Sequence, residues 1–264
     1  MSHHYIEFQD VHFSYPRGEE VLHGISFRIN HGEHVALLGL NGSGKSTLML
    51  HINGLLMPSQ GKVVIGDVPV TKKTLGIVRQ TVGMVFQNSD DMLFMPTIGE
   101  DVAFGPRNMG LPEEEVQRRV KENLEAVGLG GMEDRPAFTL SGGQRKAASI
   151  ASVLSMQPSI LVLDEPSANL DNLAREQLID ILRQFDHSIL LATHDMYLAE
   201  SLCTRAISLE KGRISYDGPM ETFSDSMVYI PPYGRNTERR DGVIPPCGRN
   251  TEHKDGTLTK IEQN

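Results

Sequence analysis

The segment Gly39-Leu40-Asn41-Gly42-Ser43-Gly44-Lys45-Ser46-Thr47 has the residue types and spacing in this 264-residue chain that most directly specify chemistry. It fits Gly-x-x-x-x-Gly-Lys-Ser between the apolar run Val35 to Leu38 and a helical stretch opening at Lys45, the strand-loop-helix order that phosphate binding requires. Small residues let backbone N–H groups curl around phosphate oxygens, and the helix start adds the positive end of its dipole. Lys45 is expected at the β- and γ-phosphates, and the Ser46 hydroxyl at Mg²⁺. A second apolar run, Ile160 to Leu163, ends in Asp164-Glu165. That puts two carboxylates at the carboxyl end of a buried strand, where open α/β sheets place their ligands. Asp164 is expected to help hold Mg²⁺ through water, and Glu165 to orient and polarise an attacking water.

Leu140-Ser141-Gly142-Gly143-Gln144 says which kind of nucleotide machine the glycine loop belongs to. It opens a helix running to about Met156, so Ser141 and the N–H groups of Gly142 and Gly143 form a second anion site. These blocks, in this order, resemble the ATP-binding cassette family, over roughly Tyr5 to Gly218. The resemblance implies roles for further residues. Tyr15, in Phe13-Ser14-Tyr15-Pro16, is similar to the aromatic that stacks on adenine. Gln87, after the strand Val82 to Phe86, is similar to the glutamine that touches Mg²⁺ and the attacking water. Ser167-Ala168-Asn169-Leu170-Asp171 resembles the loop that joins two nucleotide sites, and His194, after Ile189 to Thr193, the switch histidine at the γ-phosphate. By the same resemblance ATP and Mg²⁺ are the cofactors. Ser141 through Gln144 close over the nucleotide of a second copy, so that ATP is held between two chains.

Strand-like residues and the glycine loop occupy Tyr5 to about Phe86, and helices are predicted near Ile98 to Phe104, Glu113 to Val127 and Ser141 to Met156. Beyond Pro158, strands and helices alternate: Ile160 to Leu163, Leu173 to Phe185, Ser188 to Ala192, Met196 to Cys203 and Ala206 to Leu209. Strand after helix after strand implies a parallel sheet with both faces covered. The expected fold is α/β, a cassette-type P-loop nucleotide-binding domain over residues 1–227 with a mixed sheet core and an inserted helical subdomain at about 88–157. Residues 228–264 read as a flexible tail, because two 14-residue repeats rich in Pro, Gly and charge, starting at Ile230 and Ile244, cannot bury a core.

The apolar fraction of 39% suffices for a core, but every apolar run is far below the ~20 residues that span a bilayer. Nothing after Met1 reads as a signal peptide, so a peripheral position on the cytoplasmic face of the cell membrane is expected. A net charge of −9 argues against general nucleic-acid binding. Cys203 and Cys247 offer neither a disulfide framework nor zinc spacing, and His3-His4 has no further ligand spaced nearby.

Met92-Leu93-Phe94-Met95, just after Gln87, is either core of the helical subdomain or the surface that receives a membrane partner. With Asp101 to Leu111, it is similar to the energy-coupling-factor branch of the family and, within it, to cobalt and nickel importers built on a homodimer. A vitamin importer with two different cassette subunits and a soluble, non-transport cassette remain as alternatives. Ala147, where the family often has arginine, and Asn169, where a small residue or glycine is usual, depart from the pattern.

Overall fold

Apolar runs that are buried on both faces set the centre of the molecule. In β3 (His34–Leu38), β7 (Ile160–Asp164) and β8 (Ser188–Ala192) nearly every residue is inaccessible to solvent. Because strand side chains alternate between faces, each run feeds two cores. Val35, Leu37, Ile160, Val162, Leu190 and Ala192 enter one, whereas Ala36, Leu38, Leu161, Leu163, Ile189 and Leu191 enter the other. These strands sit in a six-stranded sheet of order β10-β9-β3-β8-β7-β6, where β6 is Val82–Val85, β9 is Arg205–Glu210 and β10 is Arg213–Pro219.

The structure, a computed structural model, describes residues 5–16 and 18–223. The chain divides into two units, Met1–Tyr229 and Ile230–Asn264. The second unit, with both repeats and Cys247, lies outside the described residues, as do His3 and His4.

One face of the central sheet packs on α1 (Lys45–Ile52) and on a four-stranded antiparallel sheet of β1 (Ile6–Ser14), β2 (Glu20–Ile29), β4 (Gln60–Ile65) and β5 (Val68–Pro69). α2 (Leu75–Thr81) leads into β6 and adds Val78 to that core. The other face is covered by α6 (Asn172–Arg183) and α7 (Met196–Leu202), with Ile150 and Val153 of α5 (Gly142–Leu154). A third core joins α5 to α3 (Ile98–Asn108) and α4 (Glu113–Ala126). Cys203 is free and buried, and burial pushes its thiol up to about 12, an inert core position.

The central sheet is mixed rather than wholly parallel. Strands joined through helices run parallel, but β9 and β10 are joined by Lys211 and Gly212 alone, both at positive φ (46° and 71°), and pair antiparallel. Two such residues form the hairpin turn whose twist matches that of its strands. α3 also runs a turn beyond Phe104, through Pro106. Proline has no N–H, so the Val102 carbonyl loses its helical partner. Ser155 Oγ, fully buried at the end of α5, supplies the replacement at 2.8 Å, sharing its single proton with the Ser152 carbonyl at 2.9 Å, and Arg119 of α4 donates to the Ser155 carbonyl at 3.0 Å. The proline thus becomes a joint of the three-helix unit.

β1 and β2 are fastened where they lead towards Tyr15. His12 Nδ1 lies 2.6 Å from Glu20 Oε1, and His23 Nδ1 lies 3.0 Å from Glu20 Oε2. The hydrogen bond to Glu20 raises the His12 pKa above its ordinary 6.5, and the same bond lowers that of Glu20 below 4.5.

Removal of the Ser155 hydroxyl by Ser155→Ala leaves a buried carbonyl unpaired and is expected to cost about 1–2 kcal/mol in urea unfolding, with an unchanged m-value. A loss under about 0.3 kcal/mol would mean that Val102 has another partner. The His12–Glu20 pair carries its own pH signature. His12 stabilises fully below 6.5 and less as pH rises through its raised folded value, while Glu20 stabilises above 4.5, so the pair is strongest between these two values. Melting temperatures of the wild type and His12→Gln should therefore differ more at mildly acidic than at mildly alkaline pH; an equal gap at both removes the ion pair as the cause.

Candidate active site

Parallel register brings the ends of β3, β7 and β8 side by side: Leu37 pairs with Ala192, and Asp164 with Ala192 from the other side. The segments that leave these ends carry the predicted chemistry. Past β3 the chain turns through Leu40 to Ser43, closed by a 3.1 Å bond from Ser43 N–H to the Leu40 carbonyl. Gly39 (φ 141°) has no room for a side chain, since a Cβ would stand 2.4 Å from the Leu209 carbonyl oxygen. Glycine is therefore obligatory there for the loop to lie against β9. α1 starts directly at Lys45, whose ammonium donates to the carbonyls of Gly39 (2.7 Å) and Leu40 (3.2 Å) and so lies across the mouth of the loop. Burial lowers the Lys45 pKa, and the nearby charges of Glu165 and Asp164 oppose that shift.

A cavity of about 470 Å³ opens over this loop, lined by Asn41, Gly42, Gly44, Lys45, Ser46, Thr47, Gln87, Asp164, Glu165 and His194, with Val21 of β2 as a wall. Residues from distant parts of the chain thus converge, and among them are Lys45, Ser46, Gln87, Asp164, Glu165 and His194, those predicted for the γ-phosphate, the metal and the attacking water, whereas Gly39 and Ser43 of the predicted phosphate loop do not line it. Asp164 is partly buried and burial raises its pKa, opposed by a hydrogen bond from Ser46 and by Lys45. Glu165 is buried and strained, with φ at 44°, a value that favours glycine. Its backbone N–H is anchored on the Ala192 carbonyl at 2.8 Å. Its Oε2 receives Thr193 Oγ1 at 3.2 Å and His194 N–H at 3.2 Å, and lies 2.9 Å from His194 Nδ1. The end of β8 therefore orients the carboxylate, and the His194 ring projects from it, 75% exposed, over the cavity.

The loop fits polyphosphate. A Cβ on Gly42 meets nothing within 4 Å, and Ser43 Oγ is buried without a hydrogen-bond partner among the described residues. Ser46, Gln87 and Asp164 offer hydroxyl, amide and carboxylate oxygens, a hard donor set suited to Mg²⁺, which takes one or two carboxylates and completes its shell with water and phosphate.

Tyr15 does not line this cavity. It stands beside it, 3.1 Å from Thr47 Oγ1, held edge-on by Phe13 at 4.9 Å and left 42% exposed. Ser141, Gly142, Gly143 and Gln144 do not line it either. Ser141 caps α5 by accepting from Gln144 N–H (3.2 Å), while Gln144 Oε1 accepts from Ser141 N–H (3.0 Å), a reciprocal box that leaves Ser141 and Gly142 exposed. Gly143 faces inward, where a Cβ would stand 3.0 Å from that of Ala174. Asn169, in the loop after Glu165, has φ at 63°, the left-handed conformation that asparagine tolerates best after glycine. Ala147 borders a separate cavity of about 390 Å³ between α5, α6 and the end of α4.

Three contributors were not singled out from the sequence. Val21 gives no signal, being one apolar residue of a strand. Thr193 only closes the apolar run Ile189 to Ala192. Lys146 is different, because a charge at spacing 4 and 7 from the buried Ile150 and Val153 falls on the inward face of α5. Its ammonium donates to the carbonyls of Phe86 (3.1 Å) and Gln87 (2.7 Å), and burial lowers its pKa to about 8.

The two readings of Met92 to Met95 divide residue by residue. Leu93 is core of the helical unit, and Met92 packs beneath the sheet. Phe94 points outward, 62% exposed, in edge-to-face contact with the exposed Phe104 at 5.0 Å. Buried Asp101 fixes this display by accepting from the N–H groups of Phe94 and Met95, both at 3.0 Å.

Residues 22–168 match the ABC transporter family model. The energy-coupling factor transporter ATP-binding protein EcfA of Methanocaldococcus jannaschii is 49% identical over 226 residues, 83% of this chain and 81% of that protein. EcfA of Methanococcus maripaludis is 46% identical over 227 residues, 84% and 82% of the two chains. The structure of cbiO1 from Clostridium perfringens, described as part of the ABC transporter complex cbiONQ, superposes with a TM-score of 0.77 at 35% identity, covering 86% of this chain and 93% of that one. Motif order, the loop-centred cavity and this likeness along most of the chain lead to one conclusion: the protein belongs to the ABC transporter family, as an ATP-binding, ATP-hydrolysing subunit of its energy-coupling-factor branch.

Proposed function

We propose that this chain is the motor of an importer whose membrane-spanning subunits are separate chains, that it works as a homodimer closed head to tail over two ATP molecules, and that the cargo is cobalt or nickel. The observation that carries the motor reading is the convergence of Lys45, Ser46, Gln87, Asp164, Glu165 and His194 on one cavity. Ser141 and Gly142 head a capped helix outside that cavity, where they are available to a second copy.

In this reading the N–H groups of Asn41 to Lys45 and the Lys45 ammonium hold the β- and γ-phosphates, and Tyr15 supports the adenine. Ser46, Gln87 and Asp164 hold Mg²⁺, which when bound neutralises phosphate charge. Glu165 Oε2 is engaged by Thr193 and His194, which leaves Oε1 for the attacking water. As the water oxygen bonds to the γ-phosphorus, its proton passes to Glu165. The bond to the bridging oxygen breaks with its electron pair going to ADP. His194 holds a γ-phosphate oxygen through its second ring nitrogen. Loss of the γ-phosphate removes the contacts that close the dimer, which is how hydrolysis becomes movement.

Among the described residues no helix is long and apolar enough to cross a membrane. The Phe94–Phe104 pair, displayed a few residues from Gln87, supports docking of a membrane subunit at this face, with the chain held peripherally on the cytoplasmic side. The descriptions of the compared proteins, an energy-coupling factor transporter ATP-binding protein and part of an ABC transporter complex, support work with separate transporter subunits, and the cobalt or nickel reading rests on the resemblance around Asp91 to Leu111.

Glu165→Gln should still bind ATP and form an ATP-dependent dimer in size-exclusion chromatography, while kcat falls about 100-fold or more. Near-normal turnover would remove Glu165 from the mechanism. The cargo assignment is tested by purifying the chain from native membranes in mild detergent and identifying its companions by mass spectrometry. One cassette type with metal-importer membrane proteins supports the proposal. A second cassette chain moves it to a vitamin importer, and no membrane companion returns it to a soluble cassette.

A further inference from the structure

Lys146 is buried to 3% exposure on the face of α5 that also carries buried Ile150 and Val153, and the reaction scheme gives it no task. Among the described residues its ammonium makes no salt bridge, although it feels the charge of Asp164. It donates instead to two successive backbone carbonyls, Phe86 at 3.1 Å and Gln87 at 2.7 Å, at the point where the chain leaves β6. Arg145, the preceding residue, bridges to Asp90 at 3.1 Å, so the second turn of α5 grips both ends of the segment 86–90. Gly83 makes the approach possible, since a Cβ there would lie 2.4 Å from Val153 of the same helix. A space of about 250 Å³ beside the grip is bounded by Gln87, Lys146, Gly142 and Asn169, so three functional segments meet at this lysine. Holding an ammonium away from water is costly unless its donors are satisfied, and two carbonyls meet that need only while Phe86 and Gln87 keep this path.

We propose that Lys146 is a positioning residue for hydrolysis: by fixing the Gln87 backbone from α5, it sets how far the Gln87 side chain reaches into the nucleotide cavity and ties that reach to the pose of Ser141 at the head of the same helix. This rests on the reading of Gln87 given above. Lys146 does not line the nucleotide cavity, so its loss acts on turnover through Gln87 and leaves nucleotide affinity intact.

The test is a double-mutant cycle on the full chain, with Lys146→Met, Gln87→Ala and the pair assayed for kcat, ATP KM and melting temperature. Each single change is expected to lower kcat about 10-fold with KM altered less than about 2-fold, and the pair to be no worse than about 2-fold beyond either alone. Lys146→Arg, which keeps the donors, should recover most of the lost turnover. A multiplicative fall of about 100-fold in the pair overturns the proposal, because Lys146 then acts independently of Gln87. So does a fall that tracks melting temperature in the Met and Arg variants alike. If Gln87→Ala alone leaves kcat unchanged, the role given to Gln87 fails first, and the inference with it. Should Lys146→Met be insoluble, Lys146→Gln, too short to span both carbonyls, runs the same cycle with the same expected and overturning results.

Discussion

Parallel pairing of β3, β8 and β7 is the constraint on which the rest of the molecule depends. Each strand reaches its carboxyl end at the same level, and at that level the backbone N–H of Glu165 bonds to the Ala192 carbonyl. A slip of one residue in any of the three would turn its apolar set into the wrong core. It would also move the Gly39 loop, the Asp164–Glu165 pair or His194 out of the common cavity. Fold stability and assembly of the candidate site are therefore one requirement, enforced by burial on both faces of the sheet. That is why a left-handed backbone can persist at Glu165: Ala192 and Thr193 hold it from a strand with no freedom to shift.

What was legible in the sequence follows from this. Continuous apolar runs announced β3, β7 and β8, and the residues that end them announced the chemistry, so the placement of Lys45, Asp164, Glu165 and His194 needed only the parallel order. β10 was not legible, because its side chains alternate between exposed and half-buried with no apolar run, and its pairing depends on a two-residue turn. The extension of α3 through Pro106 was hidden because the compensating group, Ser155, is 53 residues away in the pairing that matters. Lys146 was visible only as a charge on the wrong face of a helix. Such local conflicts between pattern and residue type mark places where tertiary contacts have overruled propensity.

Polar links as well as core hold the three helices to one another and tie the unit to the sheet. Ser155 on Val102, Arg119 on Ser155 and Lys146 on Phe86 and Gln87 are all directional, and each has a backbone carbonyl as its acceptor. Apolar packing tolerates small sliding, whereas a bond to a particular carbonyl does not. The helices are thus registered on one another through Ser155, and the unit on the sheet through Lys146 of α5.

That arrangement bears on how a load applied at the outer surface could be felt at the cavity. Phe94 is exposed, yet its backbone is pinned by Asp101, and Met92, two residues before it, places its sulfur 3.3 Å from the Phe86 N–H. Phe86 precedes Gln87 and is itself held by Lys146. From the displayed ring to the glutamine there is accordingly a short path with few slack positions: Asp101 fixes one end, Arg145 fixes Asp90 in the middle, and Lys146 fixes the other end. Adjacency of this kind does not by itself amount to coupling, which requires two arrangements of the path that ligand and partner prefer differently. It does determine where those arrangements must differ. With both ends tied to helices, a shift of Phe94 relative to the sheet has to be taken up by α3 and α5 moving together, carrying Ser141 with them.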